Sequence, residues 1–127
     1  MRGSAADAPP VIRSYFDSLN AEDFETLAGI WADDVDLRPV GARPRKGRDD
    51  VMAYYRGIFE PWAAHADQPD RVIADGDTVV IEITFTGTTH DGREISFPAV
   101  DIFDLQDGRI SRLAIFYDLA WVRKQMA

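Results

Sequence analysis

The sequence lacks cysteine altogether and has only two histidines among its 127 residues. Without cysteine, a disulfide framework, a thiolate metal site and a cysteine nucleophile are all excluded. His65 and His90 have no second histidine or cysteine at ligand spacing, and structural zinc sites depend on those side chains. The sequence therefore predicts no metal site, and nothing in it indicates a cofactor.

Basic residues are also scarce, because 14 lysines and arginines face 22 aspartates and glutamates and leave a net charge of −8. A nucleic-acid partner requires a basic surface that neutralises phosphates, so this class of function is excluded. No apolar run approaches the roughly 18 residues that span a bilayer, so no membrane association is predicted. The N-terminus lacks the apolar core of a secretion signal, and we therefore expect a cytoplasmic protein.

Apolar residues recur at helical spacing through the first half of the chain and at strand spacing through the second half. Three helices are predicted, with starts or caps at Pro9 and Pro10, at Asn20, and at Arg48 or Asp49. A short strand is expected over residues 35–40. Asp-Gly pairs at 75–76, 91–92 and 107–108 predict hairpin turns between strands near 66–74, 77–89, 93–106 and 109–118.

Strands of this length exceed the usual five or six residues and imply a strongly curved antiparallel sheet. Three helices packed on such a sheet make an α+β fold shaped like a cone, with one closed end and one mouth. The length fits a single domain over residues 1–127. Residues 1–8 are expected to form a frayed leader.

Asp101 is the most unusual residue of the predicted sheet. With period two, it shares one strand face with apolar residues only, namely Ile95, Phe97, Ala99, Phe103 and Leu105. A carboxyl group buried without a partner responds by a raised pKa that leaves it neutral. A neutral aspartic acid is a hydrogen-bond donor and thus a catalytic tool. The alternative is a core aspartate that bonds the backbone or a tyrosine hydroxyl.

Several local motifs, in this order of elements, resemble those of the ketosteroid isomerases. These enzymes share a superfamily with nuclear transport factor 2 and the SnoaL-type polyketide cyclases. The motifs are Tyr15, Leu19-Asn20-Ala21-Glu22-Asp23, Ala32-Asp33-Asp34, Pro39-Val40-Gly41, Asp101-Ile102-Phe103 and Ala114-Ile115-Phe116. The resemblance extends from Ile12 to about Gln125 and implies the same cone-shaped α+β fold.

The resemblance also implies roles for individual residues. Tyr15 matches the tyrosine of the isomerases' oxyanion hole, and Asp101 matches its protonated aspartic acid. The aspartate that shuttles the proton in those enzymes stands just before Pro-Val-Gly, where this chain has Arg38. Because arginine stays protonated in proteins, Arg38 cannot be that base. It could instead polarise a carbonyl, clamp a substrate carboxylate, or form a buried ion pair.

Two carboxylates are candidates to replace the missing base. Asp36 lies two residues before Arg38 on the same strand face, although it could simply pair with that arginine. Asp118 ends the last strand on the face of Arg112, Ala114 and Phe116, and it is similar to the acid of SnoaL-type cyclases. Its structural alternative is to cap the C-terminal segment.

The sequence is rich in aromatic residues, and a subset is expected to line an apolar cavity for a hydrophobic small molecule. We expect this subset to contain Tyr55, Phe59, Trp62, Phe85, Phe97, Phe103 and Phe116. Apolar residues are also predicted on the outer face of the sheet, namely Val80, Val100, Ile102 and Ile115. An exposed apolar face favours a homodimer formed through the sheet.

These observations favour an enzyme similar to ketosteroid isomerase that acts on a hydrophobic carbonyl compound. Tyr15 and Asp101 would stabilise an enolate, and the reaction would be an isomerisation or an aldol-type cyclisation. A non-catalytic module of the same fold, which binds hydrophobic ligands or dimerises, is the first alternative. A limonene-type epoxide hydrolase is less favoured, because Ala99 stands two residues before Asp101 where that enzyme's arrangement requires arginine.

Overall fold

The structure is a computed structural model that describes residues 2–127. This stretch forms seven strands, four α-helices and a short 3-10 turn at Ala5–Asp7. The strands are β1 (Arg2–Gly3), β2 (Trp31–Pro39), β3 (Arg45–Lys46), β4 (Trp62–Asp75), β5 (Thr78–Thr89), β6 (Glu94–Gln106) and β7 (Arg109–Tyr117). The helices are α1 (Pro10–Ala21), α2 (Phe24–Ala28), α3 (Arg48–Ile58) and α4 (Leu119–Met126).

A meander of the four long strands β4 to β7 forms the main body of the sheet, as the Asp-Gly pairs predicted. Each predicted turn contains a glycine with a positive φ angle. β5 and β6 pair without a break, from Thr78 opposite Asp104 to Thr88 opposite Glu94. This continuous register fixes which side chains of the central strands point inward.

The strand order is β1-β4-β5-β6-β7-β2-β3, and one pairing differs from the predicted antiparallel sheet. β2 runs parallel to β7, with Leu37 opposite Leu113. Parallel neighbours need a long crossover connection, and the chain between β2 and β7 supplies it through α3 and the rest of the meander. The α+β class is confirmed, but the curved sheet is mixed.

The three predicted helices form, and α1 presents an apolar stripe at helical spacing to the core, namely Ile12, Tyr15, Phe16 and Leu19. Asn20 does not cap α2, because α1 continues to Ala21 and Asp23 takes the cap position. α3 ends at Ile58, so Trp62 begins β4 and does not belong to the helix. No helix within residues 2–127 combines the length and the apolar composition needed to cross a bilayer.

The N-terminal segment differs from the expected frayed leader. Arg2 and Gly3 pair with Ile73 and Val72 on the edge of β4, and Ala8 is buried. Backbone groups on a sheet edge are open to pairing, which explains why this segment docks there. Met1 lies outside the described residues.

The tight turn after β2 depends on Gly41, which has a φ of 72° and lies against Leu119 of α4. In Gly41→Ala the new Cβ would overlap the Leu119 Cδ2 atom and the alanine backbone would be left-handed. We expect the free energy of unfolding to fall by about 2–5 kcal/mol. This loss can be measured by urea denaturation.

Gly76→Ala is the matched control, because Gly76 has a φ of 59° and no atom within 4 Å of the added Cβ. It should cost only about 1–2 kcal/mol, from the backbone alone. Equal losses in the two variants would show that the close approach of Leu119 does not constrain this turn.

Candidate active site

A cavity of about 370 Å³ opens between the inner face of the sheet and helices α1, α3 and α4. This volume lies within the range of small-molecule sites. Its lining residues are Tyr15, Leu19, Tyr54, Tyr55, Gly57, Ile58, Phe59, Pro61, Trp62, Asp67, Ile83, Phe85, Phe97, Ala99, Asp101, Ile115, Tyr117, Val122 and Met126. The lining contains two carboxyl groups, those of Asp67 and Asp101, and no lysine or arginine.

One wall of the cavity is a row of aromatic rings on the sheet. The ring centroids of Trp62 and Phe85 are 5.0 Å apart, those of Phe85 and Phe97 4.7 Å, and those of Phe97 and Tyr117 5.2 Å. Phe85 and Phe97 stand directly opposite each other on β5 and β6. This wall is suited to a flat, apolar ligand, since aromatic faces stack on flat groups.

Five of the seven predicted ligand-binding aromatics line the cavity, and two predictions are wrong. Phe103 is 0% exposed and belongs to the core, where its ring packs against Tyr15 at 5.3 Å. Phe116 is 49% exposed and stands opposite Val100 on the outer face of the sheet. Conversely, Ile115, predicted on the outer face, lines the cavity opposite Asp101.

A β-bulge explains why the faces of β7 were assigned wrongly. The hairpin pairs Gln106 with Arg109, but the register shifts by one residue between Asp104 and Leu105. One extra residue reverses which side chains point inward along the rest of the strand. Ile115 therefore faces the cavity, and Phe116 faces outward.

Asp101 is 4% exposed and lines the cavity, as its strand pattern predicted. Its carboxyl group has no hydrogen-bond partner within residues 2–127, so the alternative of a core aspartate bonded to backbone or tyrosine is not what the structure has. Burial raises the pKa of Asp101 well above its usual value, and the charge of Asp67 raises it further. The neutral acid is thus favoured, and its O–H is free to donate into the cavity.

Tyr15 does not bond Asp101 but forms a buried hydrogen bond with Tyr55, with 2.7 Å between the two hydroxyl oxygens. Burial is the largest cause that raises the pKa of each tyrosine well above its usual value. In such a pair one hydroxyl donates to the other, and the accepting hydroxyl keeps its own hydrogen free for a ligand. Tyr15, Tyr55 and Asp101 all line the same cavity.

Asp36, Arg38 and Asp118 lie outside the cavity. The Nε atom of Arg38 donates to Asp36 at 3.1 Å. The two residues thus form the predicted ion pair, but the pair is not buried, because the Arg38 side chain is 52% exposed. On β2 the residues that alternate with this pair, Val35 and Leu37, point into the core. Asp118 accepts a hydrogen bond from the Trp121 amide at 3.0 Å and caps α4.

Sequence reasoning missed Asp67, the second carboxyl group of the cavity. Asp67 stands opposite Phe85 on β4, and its partly buried side chain lines the cavity. Burial raises its pKa to about 6, an effect that His65 partly offsets. The alternation of side chains along β4 could have revealed it, because Asp67 points to the same inner face of the sheet as its partner Phe85. Its polar neighbours Gln68 and Asp70 concealed this position.

A curved sheet that packs on helices of the N-terminal half is the arrangement of the nuclear transport factor 2-like fold. Residues 12–113 match the model of the SnoaL-like domain. The chain belongs to the SnoaL-like family.

Similar proteins agree with this assignment. A nuclear transport factor 2-like protein from Burkholderia pseudomallei superposes with a TM-score of 0.85 at 20% identity, over 92% of this chain and 95% of that chain. TerC, crystallised with polyporic acid, gives a TM-score of 0.83 at 16% identity, over 91% of this chain and 95% of that chain. These likenesses establish the fold.

The orange carotenoid-binding protein of Synechocystis sp. is 38% identical over 45 residues. This match spans 35% of this chain and 14% of the length of that protein.

The raised pKa values predict a specific pH dependence of stability. A carboxyl group whose pKa is higher in the folded than in the unfolded state loses stability as pH rises from the unfolded value, about 4, to the folded value. Asparagine cannot ionise. Asp67→Asn should therefore become more stable relative to wild type from about pH 4 and level off near pH 6. Asp101→Asn should also gain relative to wild type as pH rises above about 4, by up to about 1.4 kcal/mol per pH unit, because burial raises the pKa of Asp101 well above its usual value.

Chemical denaturation between pH 4.5 and 8 measures these differences. Ile81→Val is the control, because Ile81 stands opposite Asp101 and does not titrate; its effect should be the same at every pH. A constant difference between Asp101→Asn and wild type across this range would mean that Asp101 titrates normally.

Proposed function

We propose that this protein is an enzyme that binds a hydrophobic carbonyl compound and stabilises its enolate, giving an isomerisation or an aldol-type cyclisation. The observation that carries the proposal is the buried Asp101 carboxyl group, which has no partner within residues 2–127 and opens into an apolar cavity. Buried acids with strongly raised pKa values cluster at functional sites. The Tyr15–Tyr55 hydroxyl pair in the same cavity supplies a second donor.

The chemistry follows from the placement of these donors. A substrate carbonyl oxygen would accept one hydrogen bond from the neutral Asp101 and one from the free hydrogen of the tyrosine pair. Negative charge grows on that oxygen when a neighbouring C–H bond loses its proton. Donors fixed in a dry site stabilise this charge by about 3–4 kcal/mol each. The raised pKa values of Asp101, Tyr15 and Tyr55 keep these groups in their donor forms.

The substrate class is supported by the shape and lining of the cavity. About 370 Å³ accommodates a molecule of a few fused rings, and the row from Trp62 to Tyr117 offers it an aromatic wall. TerC, a structure of the same fold, was crystallised with polyporic acid. By contrast, the cavity lining contains no arginine, so the epoxide hydrolase alternative gains no support.

The proposal predicts that Tyr15→Phe and Asp101→Leu slow proton exchange at carbon by two to three orders of magnitude, because each removes a donor. The readout is exchange of the α-protons of 2-tetralone, a bicyclic ketone, followed by NMR in heavy water. Asp101→Asn keeps an N–H donor and should recover part of the rate. Binding of 2-naphthol by fluorescence reports that the cavity remains intact.

Two outcomes would reject this function. Exchange at equal rates in wild type and both variants would remove Tyr15 and Asp101 from the mechanism. Tight 2-naphthol binding by the wild type, without exchange in this or related ketones, would favour the non-catalytic ligand-binding module.

We also propose that a second copy of the chain covers the outer face of the sheet. Phe116, which is largely exposed, stands beside Val100 there, and Val80 and Ile102 pair in the next row. A two-fold axis through such a patch lets two identical copies bury the same apolar surface.

Phe116→Glu should convert this dimer into a monomer in light scattering at micromolar concentration, because it places a charge in the apolar contact. Glu60→Gln, an exposed change in the turn after α3, is the control and should leave the mass unchanged. A monomeric wild type would contradict the dimer.

A further inference from the structure

The proposed enolate chemistry requires a group that removes a proton from carbon, and the sequence candidates Asp36 and Asp118 lie outside the cavity. We infer that Asp67 is this base, and that Asn20 positions it from the end of α1. The inference rests on the proposed function and names the residue that completes it.

The placement of Asp67 fits a base that faces a bound ligand. It lies on the inner face of β4 opposite Phe85, and Phe85 lies opposite Phe97 on β6. The carboxyl group thus stands at the end of the aromatic wall, in the cavity that also contains Asp101. Its side chain has no hydrogen-bond partner within residues 2–127, so its oxygens are available to a substrate.

Asn20 holds the backbone of Asp67 on both sides. The Asn20 Oδ1 atom accepts from the Asp67 amide at 2.8 Å, and the Asn20 Nδ2 atom donates to the Asp67 carbonyl at 2.9 Å. Within residues 2–127, no strand pairs with this stretch of β4 on that edge, because β1 reaches only Val72 and Ile73. Asn20 therefore satisfies the backbone N–H and C=O groups of Asp67, which a neighbouring strand would otherwise pair.

The charged and titratable groups around Asp67 give the two acids of the cavity different protonation states. The groups that interact with it electrostatically come from β4, α1, α3 and β6, namely His65, Tyr15, Tyr55 and Asp101. His65 in turn contacts Glu22, with 3.1 Å between Nε2 and Oε2, and stacks on Phe59 at 4.0 Å.

The pKa of Asp67 is about 6, whereas burial holds that of Asp101 well above its usual value. Because Asp101 is the more deeply buried of the two acids, Asp67 ionises first as pH rises through about 6, and Asp101 remains the neutral donor beside it.

The residues of the cavity account for the proton and for each electron pair that moves in the proposed transfer. An Asp67 carboxylate oxygen takes the proton from the carbon beside the substrate carbonyl. The electrons of the broken C–H bond form the C=C bond of the enolate, and the carbonyl π electrons move to the oxygen held by Asp101 and the tyrosine pair. Asp67 then returns the proton to another carbon in an isomerisation, or to the new alkoxide after an aldol-type ring closure.

A test of Asp67 that needs no natural substrate is the elimination of 5-nitrobenzisoxazole. A base removes the carbon-bound proton, the N–O bond breaks, and a coloured nitrophenolate forms. Wild type should accelerate this reaction, with a rate that rises as pH increases through about 6, because Asp67 must be ionised. Asp67→Asn should lose about 10²–10⁴-fold in rate. Asp70→Asn, an exposed change on the same strand, is the matched control and should retain the wild-type rate.

Asn20→Ala tests the positioning role separately. It should lower kcat for this probe by about tenfold and leave KM unchanged, because the cavity walls are intact while the base is less well placed. A purely structural role would lower the melting temperature without this split. 2-Naphthol binding by each variant reports that the fold is retained.

The outcomes separate the two proposals. An Asp67→Asn variant that keeps the elimination rate, a wild-type rate without a step near pH 6, or a wild type that binds the probe but does not accelerate it would overturn the assignment of Asp67. Elimination that depends on Asp67, in a protein that exchanges no ketone protons, would instead retain the base and reject the enolate function.

Discussion

The site is governed by the burial of the Asp101 carboxyl group in an apolar cone, where it has no hydrogen-bond partner among residues 2–127. An ionised carboxylate there would cost several kcal/mol, so the group responds by keeping its proton. The cost is imposed by the registers of β6 with its two neighbours, which place Ile81 of β5 and Ile115 of β7 beside Asp101 on the inner face. The fold thus creates a neutral acid that can donate to a ligand oxygen, with the Tyr15–Tyr55 pair in the same cavity.

The second acid of the cavity, Asp67, differs from Asp101 in its surroundings and in its pKa. Asp67 lies on an edge stretch of β4 that Asn20 holds in place, and burial raises its pKa to about 6. Two acids in one cavity then differ in their protonation as pH rises through about 6, because their burial and their neighbours differ. In the proposed mechanism, the base that the resemblance implies at the position of Arg38 is supplied by Asp67 from another strand.

Much of the fold could be predicted from local patterns. The Asp-Gly turns gave the four long strands, the apolar stripe gave α1, and period two placed Asp101 inside. The faces of β7 could not be predicted, because a bulge at Asp104–Leu105 shifts the register by one residue and reverses Ile115 and Phe116. Asp67 was missed for a related reason: its burial depends on α1 and the curvature of the sheet, whereas its sequence neighbours are polar.

The carboxyl ¹³C resonances of Asp101 and Asp67, assigned through Asp→Asn variants and followed from pH 4 to 9, report the protonation of each acid separately. The Asp101 resonance should keep its protonated position well above the midpoint of an ordinary aspartate, while the Asp67 resonance should move with a midpoint near pH 6. An Asp101 resonance that moves with the midpoint of an ordinary aspartate, about 4, would contradict this prediction.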